Sequence, residues 1–293
     1  MKKVTISIPA YNEADTLPSV INEIKTIMKN QEYRWNIIVV DDGSTDGTAA
    51  IAKKQRATVY VHPKNYGLAE TFRTELKEFL KSDADIFVHI DADNQYDPKD
   101  IPRLIDEIEK GADLVLGNRF LGGIESMPLL KRLGNKAFSH TISKIIKYKI
   151  GDCQTGFRAF TREVAKIPIT STHTYTQEQV IRAVKEKLKV KEIPVYFRTR
   201  KDKSRLISNP LEYAIKAWIN ILRVYRDFEP LKFFGRIGVC FLGAGIITGL
   251  WLVYLFITTG RVGHIPLTIL TILLIMIGIQ IIMFGFLADM RKK

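Results

Sequence analysis

Asp91 and Asp93 stand one residue apart behind the apolar run at 86–90, and Gln95 follows two residues later. Two carboxylates and an amide carbonyl at this spacing are oxygen donors for a hard divalent cation, which could sit beside the diphosphate of a nucleotide. A solvated acidic turn that stops a strand has the same spelling, so the pair gains meaning from its neighbours. Two more apolar runs end in similar loops: Pro9-Ala10-Tyr11-Asn12-Glu13 after the run at 4–8, and Asp41-Asp42-Gly43-Ser44-Thr45-Asp46 after the run at 35–40. Polar and acidic loops gathered on one sheet edge point to a nucleotide site.

The elements that must position these loops follow from periodicity. Strands are expected at 4–8, 35–40, 59–61, 86–90 and 114–116. Leu17, Val20, Ile21, Ile24, Ile27 and Met28 recur with helical spacing behind Asp15 as a cap, and further helices are expected up to Arg56, at 67–81 and at 101–110. Strands alternating with helices of this length imply βαβ units and a mostly parallel sheet, whose ligands bind beyond the strand carboxyl ends. From 117 to 205 the pattern is less regular, with Gly122-Gly123, a basic helix at 131–149, a loop at 151–160 and a helix near 175–187. The stretch 209–228 puts Leu211, Ile215, Trp218, Ile219, Leu222 and Tyr225 on one face, as an amphipathic helix in a membrane interface would. A helix packed on the preceding domain would share that pattern.

Composition changes abruptly after this. Among 293 residues, the stretches 237–257 and 265–288 hold no charged residue. Stretches of about 20 apolar residues match a hydrocarbon core, so two transmembrane helices are expected, at about 237–258 and 265–288. Lys201, Lys203, Arg205, Lys216, Arg223, Arg226, Lys232 and Arg236 precede the first span and Arg291, Lys292 and Lys293 follow the second, whereas the turn at 258–264 carries only Arg261. The positive-inside rule then places both termini in the cytoplasm. A strand starting at Val4 leaves no room for a signal peptide, so none is expected. The net charge of +13 fits anionic lipid beside the spans better than nucleic acid, for which no motif is present. Cys153 and Cys240 suit a reducing compartment without a disulfide. Gly245 and Gly249 would admit close helix contact, either between the two spans or between copies of the chain in a homo-oligomer.

The three polar loops, in this order and spacing, resemble the nucleotide-sugar motifs of family 2 glycosyltransferases. Asp152-Cys153-Gln154-Thr155-Gly156-Phe157-Arg158, Ser204-Arg205-Leu206 and the paired spans resemble, within that family, the polyprenyl-phosphate glycosyltransferases of the dolichyl-phosphate sugar synthase type. The resemblance covers essentially the whole chain. It implies a cytoplasmic GT-A-type α/β domain over 1–208, an interfacial helix over 209–232 and a transmembrane hairpin over 233–293. It also implies a UDP- or GDP-linked sugar as donor, with Pro9, Tyr11 and Glu13 holding base and ribose and Val40 and Asp42 across the pocket. Physically, a Tyr offers a flat face and a carboxylate accepts from a base N–H. Asp91 would contact ribose or metal beside Ala92, Asp93 and Gln95 would ligate Mg²⁺ or Mn²⁺, and Arg200 matches an anion-binding position.

The implied acceptor is a lipid phosphate such as dolichyl or undecaprenyl phosphate. A phosphomonoester has a second pKa of about 6, so it needs positioning cations more than a general base. The candidates are Arg119, Lys131, Arg132, Asn135, Lys203 and Arg205, with Lys136 and Arg198 nearby. Where the family often has Arg followed by Ser, this chain offers Lys131 or Arg132 and then Asn135. Asp152 resembles the family's proposed catalytic aspartate, while Glu178 occupies the region where hydroxyl-directed relatives place a base. Transfer to a hydroxyl, and an inactive membrane scaffold, are the competing readings. One match is set aside. Gln31-Glu32-Tyr33-Arg34-Trp35 spells the Q-x-x-R-W of processive polysaccharide synthases, but it precedes the second strand instead of following the catalytic carboxylate.

Overall fold

The computed structural model describes residues 1–171, 175–199, 210–261 and 264–290. Its first compact unit, Met1–Ala214, is built on a seven-stranded sheet. Strands and helices alternate as β1 (Lys3–Ala10), α1 (Leu17–Met28), β2 (Arg34–Asp41), α2 (Thr48–Lys54), β3 (Thr58–Val61), α3 (Leu68–Lys81), β4 (Ile86–His89), α4 (Ile101–Glu109) and β5 (Leu114–Asn118). Then come α5 (Leu129–Ile146), β6 (Arg158–Thr161), α6 (Arg162–Ala165), α7 (Tyr175–Lys185) and β7 (Val190–Pro194). The spatial order is β3-β2-β1-β4-β6-β5-β7. All pairings are parallel except the two made by β6.

The expected mostly parallel α/β sheet is therefore present, and its order creates the site. The chain winds outward from β1 through β2 to β3, then returns to lay β4 on the other side of β1. The loops after β1 and β4 diverge at this switch point and leave a crevice between them. Both faces of β1 are covered: Val4, Ile6 and Ile8 are fully buried, and Thr5 and Ser7 are equally withdrawn. Helix α1 lays Leu17, Val20, Ile21, Ile24 and Met28 on the core. Its cap is Thr16, whose hydroxyl donates to Glu13 Oε2 at 2.8 Å, and not Asp15, which is exposed.

Strands β6 and β7 escape the sequence reading for a physical reason. β6 is four residues long and opens on a buried Arg158, while β7 carries Lys191 and Glu192 at its centre. Neither contains an apolar run. They nevertheless matter, because β6 enters antiparallel between β4 and β5 and brings the loop at 151–157 to the crevice.

The second compact unit, Ile215–Lys293, holds most of α8 (Pro210–Phe228) together with α9 (Pro230–Thr259) and α10 (Ile265–Met290). Ile215, Trp218, Ile219 and Leu222 of α8 are exposed. Helices α9 and α10 are both long and apolar enough to cross a membrane. They pack as a hairpin through residues seven apart: Gly238, Gly245 and Leu252 on α9, Thr271, Gly278 and Gly285 on α10. Gly245 abuts Ile275 and Leu274, Gly249 approaches Thr271, and Thr271 donates to Thr248 Oγ1 at 3.0 Å. The G-x-x-x-G thus joins the two spans to each other.

A side chain on Gly278 would stand 2.8 Å from the backbone N of Leu242 and 2.9 Å from the carbonyl of Gly238, whereas one on Gly243 meets nothing within 4 Å. Gly278→Leu should therefore destabilise the hairpin by about 1–3 kcal/mol through overpacking, and Gly243→Leu should be tolerated. Thermal unfolding in detergent micelles checks this; equal effects of the two substitutions would refute the packing.

Candidate active site

The loops after β1, β2 and β4 meet around a cleft of about 470 Å³. The first two interlock through their own side chains. Asn12, at a positive φ of 54° that Asn tolerates, accepts from Thr45 N at 2.9 Å, while its N–H donates to Ser44 Oγ at 2.8 Å. Glu13 N donates to Thr48 Oγ1, and Asp46 accepts from Ala14 N and Thr48 N. Burial opposes ionisation of Asp46, but these donors outweigh it and hold the carboxyl below its ordinary value. Asp42 accepts from Tyr66 N at 3.0 Å, Gly67 N at 2.8 Å and His62 Nδ1 at 2.7 Å, which brings the segment before α3 to the cleft edge.

Beneath Asp91 runs a line of buried polar groups. Ser7 donates to Glu75 Oε1 at 2.8 Å, Glu75 Oε2 meets His89 Nδ1 at 2.9 Å, and His89 Nε2 faces Asp91 Oδ1 at 3.7 Å. Burial alone would lower the His89 pKa, but the Glu75 charge and the Asp91 side chain raise it to about 9. Above Asp91 the loop before β6 closes in. Tyr96 Oη meets Thr155 Oγ1 at 3.2 Å and accepts from Gly156 N at 3.3 Å. Gln95 and the chain after β7 are tied by Arg198 N donating to Gln95 O at 2.7 Å. The Arg198 guanidinium holds Glu23, Asn94 and Asp97 at 2.9–3.0 Å, so it braces the Asp93 loop.

Of the expected site residues, Pro9, Tyr11, Glu13, Asp42, Asp91, Ala92, Asp93, Gln95, Arg119 and Lys131 line the cleft. Val40 does not; it is buried in the sheet opposite Pro9. Arg132 is exposed and Asn135 is buried within α5, and neither reaches the cleft. Arg200, Lys203 and Arg205 lie outside the described residues. Asn65, Thr71, Tyr96 and Phe197 line it unforeseen. Asn65 and Phe197 sit in irregular stretches, and Thr71 and Tyr96 look like helix and core residues, so no local signal marks them.

Neither residue expected as base is presented to the cleft. Asp152 is fully buried and receives Arg119 Nε at 2.6 Å and Nη2 at 2.8 Å, a bidentate ion pair. It stands as counter-ion to Arg119. Glu178 is buried on α7, where it accepts from Thr170 N, Ser171 N and Arg182 Nε at 2.7–3.0 Å. It braces the loop before α7.

The donor set suits a divalent cation of a particular kind. Among the described residues no cluster of three or more His, Cys, Asp or Glu could hold a metal ion alone. Asp91, Asp93 and Gln95 instead offer a partial shell, of the sort Mg²⁺ completes with substrate phosphates and water. Gly156 keeps that space open, since a Cβ there would stand 2.6 Å from Asp91 Oδ2.

The model of glycosyl transferase family 2 matches residues 5–167. The chain is 28% identical over 290 residues to the glycosyltransferase AglJ of Haloferax volcanii, covering 98% of this chain and 93% of that one. It is 32% identical over 205 residues to a dolichyl-phosphate hexose transferase of the same organism, covering 69% and 86%. Its fold is similar to that of glucosyl-3-phosphoglycerate synthase from Mycobacterium tuberculosis in complex with Mn²⁺, UDP and glucosyl-3-phosphoglycerate. The TM-score is 0.60 at 20% identity, over 76% of this chain and 79% of that one.

Gly156→Ala should displace the Asp91 carboxylate and weaken Mn²⁺ binding, measured by electron paramagnetic resonance with a nucleoside diphosphate present. Disturbing a group that orients a metal ligand costs roughly ten- to a hundredfold in affinity. Unchanged Mn²⁺ affinity would show that Asp91 does not serve the metal.

Proposed function

The chain belongs to glycosyl transferase family 2 and is a glycosyltransferase; from that footing we propose that it transfers one sugar from a nucleotide sugar to a polyprenyl phosphate at a membrane surface. The observation that carries this reading is the polarity of the cleft lining. There the chain presents Arg119 and Lys131, and the two carboxylates that could have served a hydroxyl acceptor are both bonded away from it. An ionised phosphate has no proton to surrender and needs cations that position it; a hydroxyl would need a base. The names of relatives, dolichyl-phosphate hexose transferase among them, support the same acceptor class.

On this reading Tyr11, Glu13 and the loop held by Asp42 take the base and ribose of a UDP- or GDP-linked donor. Asp91, Asp93 and Gln95 would hold Mg²⁺ or Mn²⁺, which offsets the charge developing on the departing diphosphate. Mn²⁺ in a structure of the same fold is consistent with that. Arg119, kept in place by Asp152, turns the acceptor oxygen toward the sugar, and Lys131 adds a second charge. Opposite-face attack would invert the anomeric centre. The domain over 1–208 would face the cytoplasm, with the α8 region over 209–232 in the interface and the hairpin over 233–293 anchoring it. Exposed Trp218, Ile219 and Leu222 on α8 suit that interface.

Four experiments test the proposal. Membranes containing the chain, given polyprenol and polyprenyl phosphate side by side with a panel of labelled UDP- and GDP-sugars, should label the phosphate. Arg119→Lys, which keeps the charge but loses the bidentate grip, should slow transfer roughly ten- to a hundredfold, and Glu178→Gln should lower thermal stability with little effect on kcat. Label in the free alcohol alone, or abolition of transfer by Glu178→Gln in a folded protein, would promote the hydroxyl reading. EDTA should abolish transfer and Mg²⁺ or Mn²⁺ restore it; full activity in excess chelator would remove the metal from the scheme. For topology, tags at both termini should be accessible only from the cytoplasmic side, and one tag on each side would overturn the hairpin.

A further inference from the structure

Glu192 lies at the centre of β7, does not line the cleft and belongs to none of the motifs above. Its carboxylate nevertheless gathers donors from both segments that build the acceptor wall. Oε1 accepts from Asn118 Nδ2 at 3.0 Å, Asp152 N at 2.9 Å and Gly151 N at 3.0 Å, and Oε2 accepts from Gly151 N at 2.9 Å. Asn118 passes the constraint on: its Oδ1 accepts from Phe120 N at 2.8 Å and Leu121 N at 3.1 Å. Arg119 sits between these bonded positions, at the end of β5. Asp152, its counter-ion, sits at the start of the loop before β6. One carboxylate therefore holds the backbone on both sides of the Arg119–Asp152 pair.

Such an arrangement has a physical purpose. A guanidinium can place a phosphate only as well as its own backbone is placed, and 1 Å of misplacement costs about a hundredfold in a well-tuned site. Arg119 and Asp152 come from different elements, on a turn and on a loop, neither of which has a regular ladder of its own at that point. Charge-assisted bonds to backbone N–H groups are the strong kind. Ladder pairing of β5 with β7, with Leu116 opposite Glu192 and Asn118 opposite Pro194, brings the carboxylate within reach of all three donors.

We propose that Glu192 is a positioning residue for the acceptor phosphate, acting through Arg119. It locks the turn after β5 and the loop before β6 in one register, so that the paired guanidinium faces the cleft. This rests on the phosphate-acceptor reading given above. The donor loops after β1, β2 and β4 make no hydrogen bond to Glu192 among the described residues, so its influence falls on the acceptor side.

The test uses the full chain in membranes or micelles, with kcat and KM measured separately for labelled donor and for polyprenyl phosphate. Glu192→Ala should lower kcat/KM for the acceptor roughly ten- to a hundredfold, while the donor nucleotide still binds and the donor KM stays within about twofold. Glu192→Gln, which keeps one acceptor oxygen, should recover most of the loss. In an Arg119→Ala background Glu192→Ala should cost little more, because both changes remove one function. Should Glu192→Ala fail to accumulate, Glu192→Gln and Asn118→Ala carry the same comparison. Parallel losses for donor and acceptor, or multiplicative losses in the double variant, overturn the proposal. If wild-type protein labels a hydroxyl acceptor and not the phosphate, it is the underlying functional reading that fails. A wild type active on the phosphate beside a Glu192→Ala variant with unchanged acceptor kcat/KM refutes Glu192 alone.

Discussion

Arg119 and Asp152 form a buried ion pair, and this side of the cleft is arranged around the cost of that burial. Removing one charged group from water costs several kcal/mol, recovered only with good geometry and satisfied partners. Both conditions are met. The pair is bidentate, the backbone N–H of Arg119 also points at Asp152, and Phe197 lies under the guanidinium with its ring 5.2 Å away. Arg119 is thereby a cation whose direction is set before any substrate arrives. The same bonds occupy both carboxylate oxygens of Asp152.

The donor half is built on a different rule. Parallel strands covered on both faces must end in loops on one edge, and the switch between β1 and β4 separates two of those loops. Their side chains then satisfy one another, Asn12 with Thr45, Asp46 with Ala14 and Thr48, Asp42 with Tyr66 and Gly67. Much of the polarity of these loops is thus internal scaffolding. Tyr11, half exposed at the rim, is left as the flat surface a base would meet.

How much of this could be read from sequence depends on whether the signal is local. The Asp91 loop was legible because four apolar β residues precede it and oxygen donors follow at fixed spacing, and the hairpin because charge vanishes over two spans. The strands β6 and β7 were not, since their stability comes from ladders to β4 and β5 and not from their own composition. The surroundings of Glu178 were hidden for a related reason: its partners, Thr170 and Arg182, are gathered by the fold. His89 and Glu75 were hidden altogether. A His in an apolar strand and a Glu on a helix give no hint that they meet at 2.9 Å beneath Asp91.

The two halves are not independent, because one short loop touches both. Asp152 at its start pairs with Arg119, and Gly156 near its end lies so close to Asp91 that a methyl group would not fit. Between them Thr155 bonds Tyr96, and Arg158 anchors the far side through the carbonyls of Thr155 and Thr176 and the Gln179 side chain. Displacement of its Asp152 end would move Arg119, and displacement of its Gly156 end would crowd the Asp91 carboxylate. Five residues, Asp152 to Gly156, thus join the partner of Arg119 to the backbone that hems in Asp91.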